Sequence, residues 1–274
     1  PPEITDELKG LQDEVPAVET ATILQVLGEE LGDLDVHFQR FEEEPLAAAS
    51  LGQVHRAWLN SRSDQADGAV GEAVVVKVQR PGIEQLVQTD LAALRVVAGW
   101  MMRYRPIRRR ADVPALLEEF AGTLWEELDY VQEAANAERF AEMFASDDGV
   151  YIPHVYHRYS TRRVLVLENV EAIKIMDLEA LDAAGVNRDE VADRLLDTYF
   201  HQIFFEGFFH ADPHPGNLFV KPRDDAESTS STTGSGRPFY LVFVDFGMVG
   251  RIESLMGDNL NLSLIHISEP TRPY

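Results

Sequence analysis

The sequence has no cysteine among its 274 residues. This absence excludes disulfides, thiol catalysis and thiolate metal sites. Positive charge is scarce as well: 24 Lys and Arg stand against 47 Asp and Glu, for a net charge of −23. Such acidity argues against nucleic-acid binding and against broad attraction to anionic membranes. No apolar run reaches the roughly 18 residues of a transmembrane helix, and the composition is typical of a globular domain, with 45% hydrophobic and 26% charged residues.

Two short motifs carry the chemistry. Asp212 lies five residues before Asn217, and Asp245 follows in an Asp-Phe-Gly tripeptide. This order of acid, amide and acid is typical of the kinase phosphotransfer site. There, one carboxylate faces the acceptor hydroxyl, while the amide and the second carboxylate hold Mg²⁺ through the hard oxygen atoms that this ion prefers. The pattern predicts a Mg-ATP site with Asp212 as the catalytic carboxylate that faces the acceptor hydroxyl and with Asn217 and Asp245 as metal ligands.

Lys77 is the next candidate, because it interrupts a β-branched strand predicted at 70–79. A lysine in such a run is costly unless it is paired, and the chain has only four lysines against twenty arginines. Its position matches the strand lysine that binds the α- and β-phosphates and pairs with a helical glutamate, for which Glu133 is the candidate. Taken alone, Lys77 would be interpreted as an outward-facing lysine on a half-buried strand; its position beside Asp212, Asn217 and Asp245 in the motif set favours the phosphate-binding role.

Residues 41–59 are predicted to form a strand, a tight loop and a strand. In a kinase-like lobe, a glycine-rich loop at this place covers the phosphates. Here three alanines replace the expected glycines and only Gly52 remains, so we expect an altered nucleotide pose; the alternative is a short helix start. A hinge at 168–170 is expected to meet adenine. The predicted ATP contacts, besides Lys77, are Ala47, Ala48, Ala49, Ser50, Gly52, Gln53, Glu168 and Val170.

The remaining periodicity predicts mostly helices. We expect helices within 3–40, divided at Pro16, and over 84–102, 114–144 and 180–205, with strands at 150–152 and 163–167. In the helix over 114–144, Glu126, Asp129 and Glu133 would lie near one face. His201 is expected to pack or cap rather than to catalyse.

Two segments have unusual composition. The basic residues at 103–110 indicate either a solvated loop or a contact with lipid headgroups or a partner. The low-complexity segment 223–237 is predicted to be a disordered insertion at a hairpin tip.

With these motifs in view, the chain resembles the UbiB/ADCK family of atypical kinases, which is tied to ubiquinone biosynthesis. Five segments carry the resemblance: 47–55, 75–82, 127–134, 210–217 and 244–247. It implies an α+β, two-lobe protein-kinase-like fold with an incomplete C-lobe. The expected ranges are an N-terminal helical extension at 1–40, an N-lobe with inserted helices at 41–170, a partial C-lobe at 171–261 and a non-native, adaptor-derived tail at 262–274.

The resemblance also implies roles for residues. Lys77, Glu133 and Asp212 would be catalytic, and Glu127 and Asp129 would form a regulatory Glu-x-Asp signature that faces an N-terminal Lys-x-Gly-Gln extension. That motif is absent from the sequence, which we expect to be truncated at both ends, with Pro1 just after it.

The expected function is that of a Mg-ATP-dependent atypical kinase or ATPase supporting isoprenoid quinone or lipid metabolism. Two alternatives stay open: a small-molecule phosphotransferase of the aminoglycoside or choline kinase type, and a non-catalytic nucleotide-sensing scaffold. Expected partners are ATP, quinone-biosynthesis enzymes and lipid, without nucleic acid. The expected location is cytoplasmic, peripheral to the inner membrane.

Overall fold

The structure, a computed structural model, describes residues 16–60, 71–223 and 236–252. They fall into two compact units: the first holds 16–60, 71–134 and 154–169, and the second holds the rest. The predicted helix before Pro16, the tail at 262–274 and most of the low-complexity segment lie outside the described residues. Within the described ranges, no helix is both long and apolar enough to cross a membrane.

The first unit is built on a five-stranded antiparallel sheet, whose strands are β1 Phe38–Phe41, β2 Ala47–Ala48, β3 Gly52–Leu59, β4 Ala73–Gln79 and β6 Val164–Glu168. Their order in the sheet is β1-β3-β4-β6, with β2 paired to β3. In β4, Val74, Val76 and Val78 are completely buried. Since side chains alternate between the faces of a strand, Lys77 points to the opposite face from these valines.

Five helices lie wholly within the described residues of the first unit. They are α1 Thr20–Leu31, α2 Leu34–His37, α3 Ile83–Met101, α4 Arg105–Arg108 and α5 Val113–Glu127, with a 3₁₀ turn at His157–Tyr159. In α1, Ile23, Val26 and Leu27 are buried with the β4 valines in one core cluster. Their spacing of three and four residues places them on one face of the helix, which is why α1 packs on the sheet.

The predicted single helix over 114–144 is wrong. α5 ends at Glu127, and α6 spans Tyr130–Met143. Between them, the Asp129 carboxylate accepts hydrogen bonds from the N–H groups of Val131 at 3.1 Å and Gln132 at 3.3 Å. These bonds satisfy N–H groups that the first turn of a helix leaves free, so Asp129 starts a new helix instead of continuing α5. The acidic face predicted for Glu126, Asp129 and Glu133 is therefore wrong too.

The second unit contains a four-stranded sheet in the order β5-β10-β9-β7, in which β5 is parallel to β10. Its strands are β5 Val150–Tyr151, β7 Ile173–Lys174, β9 Leu218–Pro222 and β10 Phe239–Phe243. A separate ribbon pairs β8 Phe208–His210 with β11 Val249–Arg251. β9 and β10 are antiparallel, with Phe239 opposite Pro222. The hairpin predicted to carry the low-complexity segment is thus confirmed.

The helices of the second unit are α7 Leu178–Ala183 and α8 Arg188–Phe200, followed by a π-helical turn at His201–Glu206 and a 3₁₀ turn at Pro215–Asn217. The prediction of a single helix over 180–205 is wrong, because the structure divides this range into separate elements. Gly185, at φ +76°, interrupts it, and the Asn187 side chain then caps α8 by accepting from the Asp189 N–H at 2.9 Å. His201 packs between the rings of Phe144 and Phe205, as expected.

Candidate active site

The predicted ion pair of Lys77 and Glu133 is present in the first unit. Lys77 Nζ lies 2.9 Å from both carboxylate oxygens of Glu133. The exposed fractions of the two side chains are 18% and 2%. Lys77 Nζ also lies 5.1 Å from the centre of the Tyr130 ring. Both the carboxylate and the face of the ring attract the positive charge of this mostly buried ammonium group.

Local structure explains how the pair forms. β4 is a central strand, and Lys77 is flanked in register by Val54 of β3 and Leu165 of β6. Tyr130 and Glu133 are three residues apart in α6, so they lie on one side of that helix. Strand alternation and helix periodicity together direct the lysine, the ring and the carboxylate to one point.

The alanine-rich segment forms a hairpin, not a helix start, so the alternative interpretation is wrong. Ala47 pairs with Val54 and Ala48 with Gln53. The Ala49 N–H closes the turn by donating to the Gly52 carbonyl at 2.9 Å.

The single glycine of this segment is required by packing. A Cβ atom on Gly52 would lie 2.7 Å from the Val78 carbonyl oxygen and 2.6 Å from the Tyr130 hydroxyl. Both distances are shorter than a carbon can tolerate. Gly52 therefore lets β3 approach β4 and the ring beside Lys77, and its predicted contact with nucleotide stays a prediction.

The other predicted nucleotide contacts differ in accessibility. Ala47, Ala49 and Ser50 are exposed and Ala48 is half-buried, so the hairpin tip is open to a ligand. Gln53 is completely buried, and its side-chain amide binds the backbone N–H and carbonyl of Val18. In the expected hinge, Glu168 accepts from the His154 N–H at 3.2 Å. Val170 is the first residue after the boundary of the first unit. All these roles in ATP binding stay predictions.

In the second unit, Asp212 and Asn217 are in direct contact. The Asn217 amide donates to Asp212 Oδ2 at 2.8 Å, and the Asn217 carbonyl accepts from the Val244 N–H at 3.0 Å. The second bond fixes Asn217 beside the residue that precedes Asp245. Asp245 has φ +61° and is the only non-glycine residue with positive φ in the described part of the chain. Such strain is concentrated at functional sites.

Two buried side chains that sequence reasoning gave no role hold this arrangement. His210 donates from Nε2 to the Val244 carbonyl at 3.2 Å and accepts the Asp212 N–H on Nδ1 at 3.3 Å. Asn136 donates to the Phe246 carbonyl at 3.0 Å. His210 lies inside the motif that contains Asp212, so its role could have been predicted from the sequence. The role of Asn136 could not, because its partner is a backbone atom 110 positions away.

Asp212 also affects a neighbouring phenol. Burial, and then the negative charge of Asp212, raise the pKa of the Tyr199 hydroxyl to about 12. Tyr199 packs against Phe243, with ring centres 6.0 Å apart. The phenol is therefore protonated at neutral pH, and its charge state is coupled to the candidate catalytic carboxylate of Asp212.

The donor atoms fit the expected magnesium ion. Asn217 and Asp245 supply amide and carboxylate oxygens, the hard ligands that Mg²⁺ prefers. Within the described residues, the Asn217 side-chain oxygen accepts no hydrogen bond, and no group of three or more His, Asp or Glu is arranged to hold a metal by itself. Mg²⁺ usually completes its shell with water and nucleotide phosphates, so a protein share of two residues is sufficient.

The residues expected to be regulatory lie near the junction of α5 and α6. Glu127 is the last residue of α5 and is half-buried, whereas Asp129 caps α6. Asp129 therefore has a structural function of its own. The regulatory role of both residues stays a prediction.

Comparison with known proteins places the chain among kinase-like proteins. Residues 10–271 match the family model described as the ABC1 atypical kinase-like domain. The chain is 43% identical over 263 residues to the Arabidopsis thaliana protein ACTIVITY OF BC1 COMPLEX KINASE 8, chloroplastic, covering 95% of this chain and 32% of that protein. It is 35% identical to the probable protein kinase UbiB of Azotobacter vinelandii, covering 97% of this chain and 46% of the relative.

A solved structure shares the fold. The Rv3197–erythromycin complex from Mycobacterium tuberculosis aligns with a TM-score of 0.63 at 24% identity, over 94% of this chain and 63% of that one. This likeness supports the predicted kinase-like α+β fold. The chain spans only 32% and 46% of the lengths of the two curated relatives described above.

Proposed function

Since this chain belongs to the family of ABC1 atypical kinase-like domains, we propose that it binds Mg-ATP and acts as an atypical kinase or ATPase. The observation that carries the proposal is the buried pair of Lys77 and Glu133, with both carboxylate oxygens on one ammonium group. A fold gains little stability from burying such a pair. Its geometry suits a cation that is kept in one position to bind phosphate oxygens.

Each candidate residue has a defined task in the proposed mechanism. Lys77 orients the α- and β-phosphates, and Glu133 fixes its position. Asp212 receives the hydroxyl proton of an acceptor or orients a water molecule, while His210 keeps its backbone in place. Asn217 and Asp245 would hold Mg²⁺, which neutralises the charge on the phosphates when it is bound. Catalysis then depends on positioning and electrostatic stabilisation.

The wider role that we propose is support of isoprenoid quinone or lipid metabolism at the cytoplasmic face of the inner membrane. The five motif segments that resemble the UbiB/ADCK family support this proposal, together with the UbiB relatives. The proposed partners are quinone-biosynthesis enzymes and lipid, with no role for nucleic acid. The net charge of −23 is consistent with that last point.

The decisive test is the substitution Asp245→Asn. Asparagine tolerates positive φ and matches the shape of aspartate, so the fold should be kept while a metal ligand is weakened. We expect Mg-dependent ATP affinity, measured by calorimetry, to be lost, while the exposed control Asp189→Asn binds normally. Unchanged Mg-ATP affinity in Asp245→Asn would refute the ligand assignment.

Measuring the release of phosphate from ATP then distinguishes the proposed ATPase from the two alternative functions. Release that rises with quinone-precursor phenols or lipid supports the proposed ATPase role. ATP binding without release indicates the nucleotide-sensing scaffold. Phosphorylation of an aminoglycoside or of choline indicates the small-molecule phosphotransferase.

A further inference from the structure

Arg80 connects the end of β4 to the turn at 49–52, the tip of the hairpin of β2 and β3. Its backbone N–H donates to the Leu51 carbonyl at 2.9 Å, and its side-chain Nε donates to the Ala49 carbonyl at 2.9 Å. The pairing of Gly52 with Gln79 explains this placement, because the residue after Gln79 then lies beside the residue before Gly52. A single residue therefore occupies two carbonyl groups of the tip.

The guanidinium group of Arg80 is fixed from a second side. Its Nη2 donates to the Pro16 carbonyl at 2.8 Å, so one planar fork spans two acceptors. The segment that carries Pro16 is itself held, since the buried Gln53 side chain binds the backbone N–H and carbonyl of Val18. An arginine held by two carbonyls has little freedom to move, and this restrains the Ala49 end of the turn.

The N–H groups of the tip are left available. Ser50 and Leu51 donate a backbone hydrogen bond to no acceptor within the described residues. Ser50 is exposed, so a ligand can reach this part of the turn. Successive N–H groups in a turn form a concavity that binds anions. Carbonyl oxygens directed at an anion would repel it, and Arg80 keeps those of Ala49 and Leu51 bound to its own N–H groups.

The tip also lies close to the candidate phosphate-binding lysine. The Tyr130 hydroxyl lies against Gly52, where an added Cβ atom would be 2.6 Å away, and the ring of the same tyrosine is centred 5.1 Å from Lys77 Nζ. Gly52 directly follows the two available N–H groups in the chain. The turn and Lys77 thus adjoin one ring, which is the neighbourhood that a triphosphate chain would occupy.

The hairpin does not obtain its shape as a glycine-rich loop does. Glycine allows positive φ, whereas no residue from Ala47 to Leu51 has it. A side-chain clamp is another way to keep a turn in one conformation before a ligand arrives, and such preorganisation strengthens binding. We propose that Arg80 is a positioning residue of the Mg-ATP site, holding the hairpin so that the N–H groups of Ser50 and Leu51 bind phosphate oxygens. This inference rests on the proposed function.

Amide hydrogen exchange without nucleotide tests the clamp itself. In the parent chain the Ala49 N–H should be protected, since it donates to the Gly52 carbonyl at 2.9 Å. Arg80→Met removes the side-chain donors but keeps an apolar chain, and the Ala49 amide should then exchange about tenfold faster. The amide of Val76, in the buried centre of β4, should be unaffected. Unchanged exchange at Ala49 would overturn the proposal, and so would an equal increase at Val76, which would mean that Arg80 only stabilises the sheet.

Nucleotide binding tests the consequence. In the parent chain, saturating Mg-ATP should slow exchange of the Ser50 and Leu51 amides, whereas adenosine, which has no phosphate, should not. Calorimetry should give Arg80→Met an affinity for Mg-ATP about tenfold weaker than that of the parent chain. The matched control, Arg108→Met, removes the same charge from an exposed position on α4 and should bind Mg-ATP as the parent does.

The role of Arg80 and the proposed function fail in different ways. Absence of Mg-ATP binding by the parent chain would refute the proposed function and, with it, the phosphate contact. Normal binding by the parent would leave the proposed function standing. Against that background, equal affinities of Arg80→Met and the parent, equal losses in Arg80→Met and Arg108→Met, or no effect of Mg-ATP on the Ser50 and Leu51 amides would each overturn the role of Arg80 alone.

Discussion

The side chains of Lys77 and Glu133 depend on each other for their burial. Glu133→Leu alone removes the carboxylate from a mostly buried ammonium group, and we expect it to lower the free energy of unfolding by about 3–5 kcal/mol. Adding Lys77→Met replaces the pair with two apolar side chains of similar volume. This second change should restore most of the lost stability. Urea denaturation of the single and double variants measures both values.

The affinity for Mg-ATP should not follow the folding stability in Glu133→Leu and in the double variant with Lys77→Met. The double variant regains a stable fold without regaining the cation for the phosphates, so its Mg-ATP affinity should stay lost. A double variant as unstable as Glu133→Leu would contradict the account of the pair. Recovered ATP affinity would show that Lys77 does not bind phosphate.

His55 makes stability depend on pH. Its ring is completely buried, stacks on Phe41 at 5.0 Å and contacts the Glu42 carbonyl at 3.0 Å. Burial lowers the pKa of His55 below its ordinary value of 6.5, although the contact with Glu42 opposes this shift. At a pH below 6.5, His55 is protonated in the unfolded chain, whereas in the folded chain its lowered pKa disfavours protonation. Folding stability should therefore fall as the pH drops from about 6.5 towards 5.

The measurement for His55 is urea denaturation at pH 7.5 and pH 5.5. His55→Phe should lose less stability between these two values than the parent chain, because it removes the group that titrates. His157→Phe, at an exposed position, serves as the control and should keep the parent pH dependence. An unchanged pH dependence in His55→Phe would contradict the prediction.

At the scale of elements, the start of α6 depends on Asp129. Its carboxylate accepts from the N–H groups of Val131 and Gln132, which belong to the first turn of the helix. Asp129→Ala should cost about 1 kcal/mol of folding stability, whereas Asp129→Asn, which also caps well, should cost little. Glu126→Ala, on the exposed side of α5, is the control and should change stability by less than about 0.5 kcal/mol. Equal losses from Ala and Asn at position 129 would exclude capping as the cause.

The same junction shows what the sequence could not predict. The strand around Lys77 and the helix that carries Glu133 followed from hydrophobic periodicity. The hairpin of β9 and β10 was expected for another reason, namely the position of the low-complexity segment between the Asp212 motif and Asp245. The break at Asp129 contains neither glycine nor proline, so helical periodicity continues through it and hides the end of α5. The break at Gly185 was readable, since a glycine followed by a capping Asn187 is a regular helix boundary.

The candidate site was predictable to a similar degree. Lys77, Asp212, Asn217 and Asp245 could be singled out because their order in the sequence matches that of the side chains in kinase phosphotransfer sites. Asn136, which also holds the site, was not predictable, because a buried amide that binds a backbone carbonyl has no required position in the sequence and its partner lies in a distant segment. His210 was within reach of sequence reasoning, since it stands inside the motif that contains Asp212.

At the scale of the whole molecule, the two compact units are not contiguous in sequence. Residues 154–169 belong with the first unit although 135–153 belong with the second. Composition and hydrophobic periodicity are properties of consecutive residues, so a prediction based on them divides the chain into contiguous domains, such as the N-lobe expected at 41–170. Only strand pairing, here β6 on β4, assigns a late segment to an early unit. The naming of these ranges as kinase lobes stays a prediction.

The excess of acidic residues should make the stability of the whole chain depend on salt. With 47 Asp and Glu against 24 Lys and Arg, charge repulsion opposes the compact state. The Debye length falls from about 30 Å at 0.01 M salt to about 10 Å at 0.1 M, so repulsion across the molecule is largely screened over that range. We expect the melting temperature to rise with sodium chloride, mostly below 0.1 M, and equally with choline chloride. A melting temperature that falls would mean that ion pairs such as Lys77–Glu133 outweigh the repulsion, and a rise with sodium alone would indicate specific cation binding.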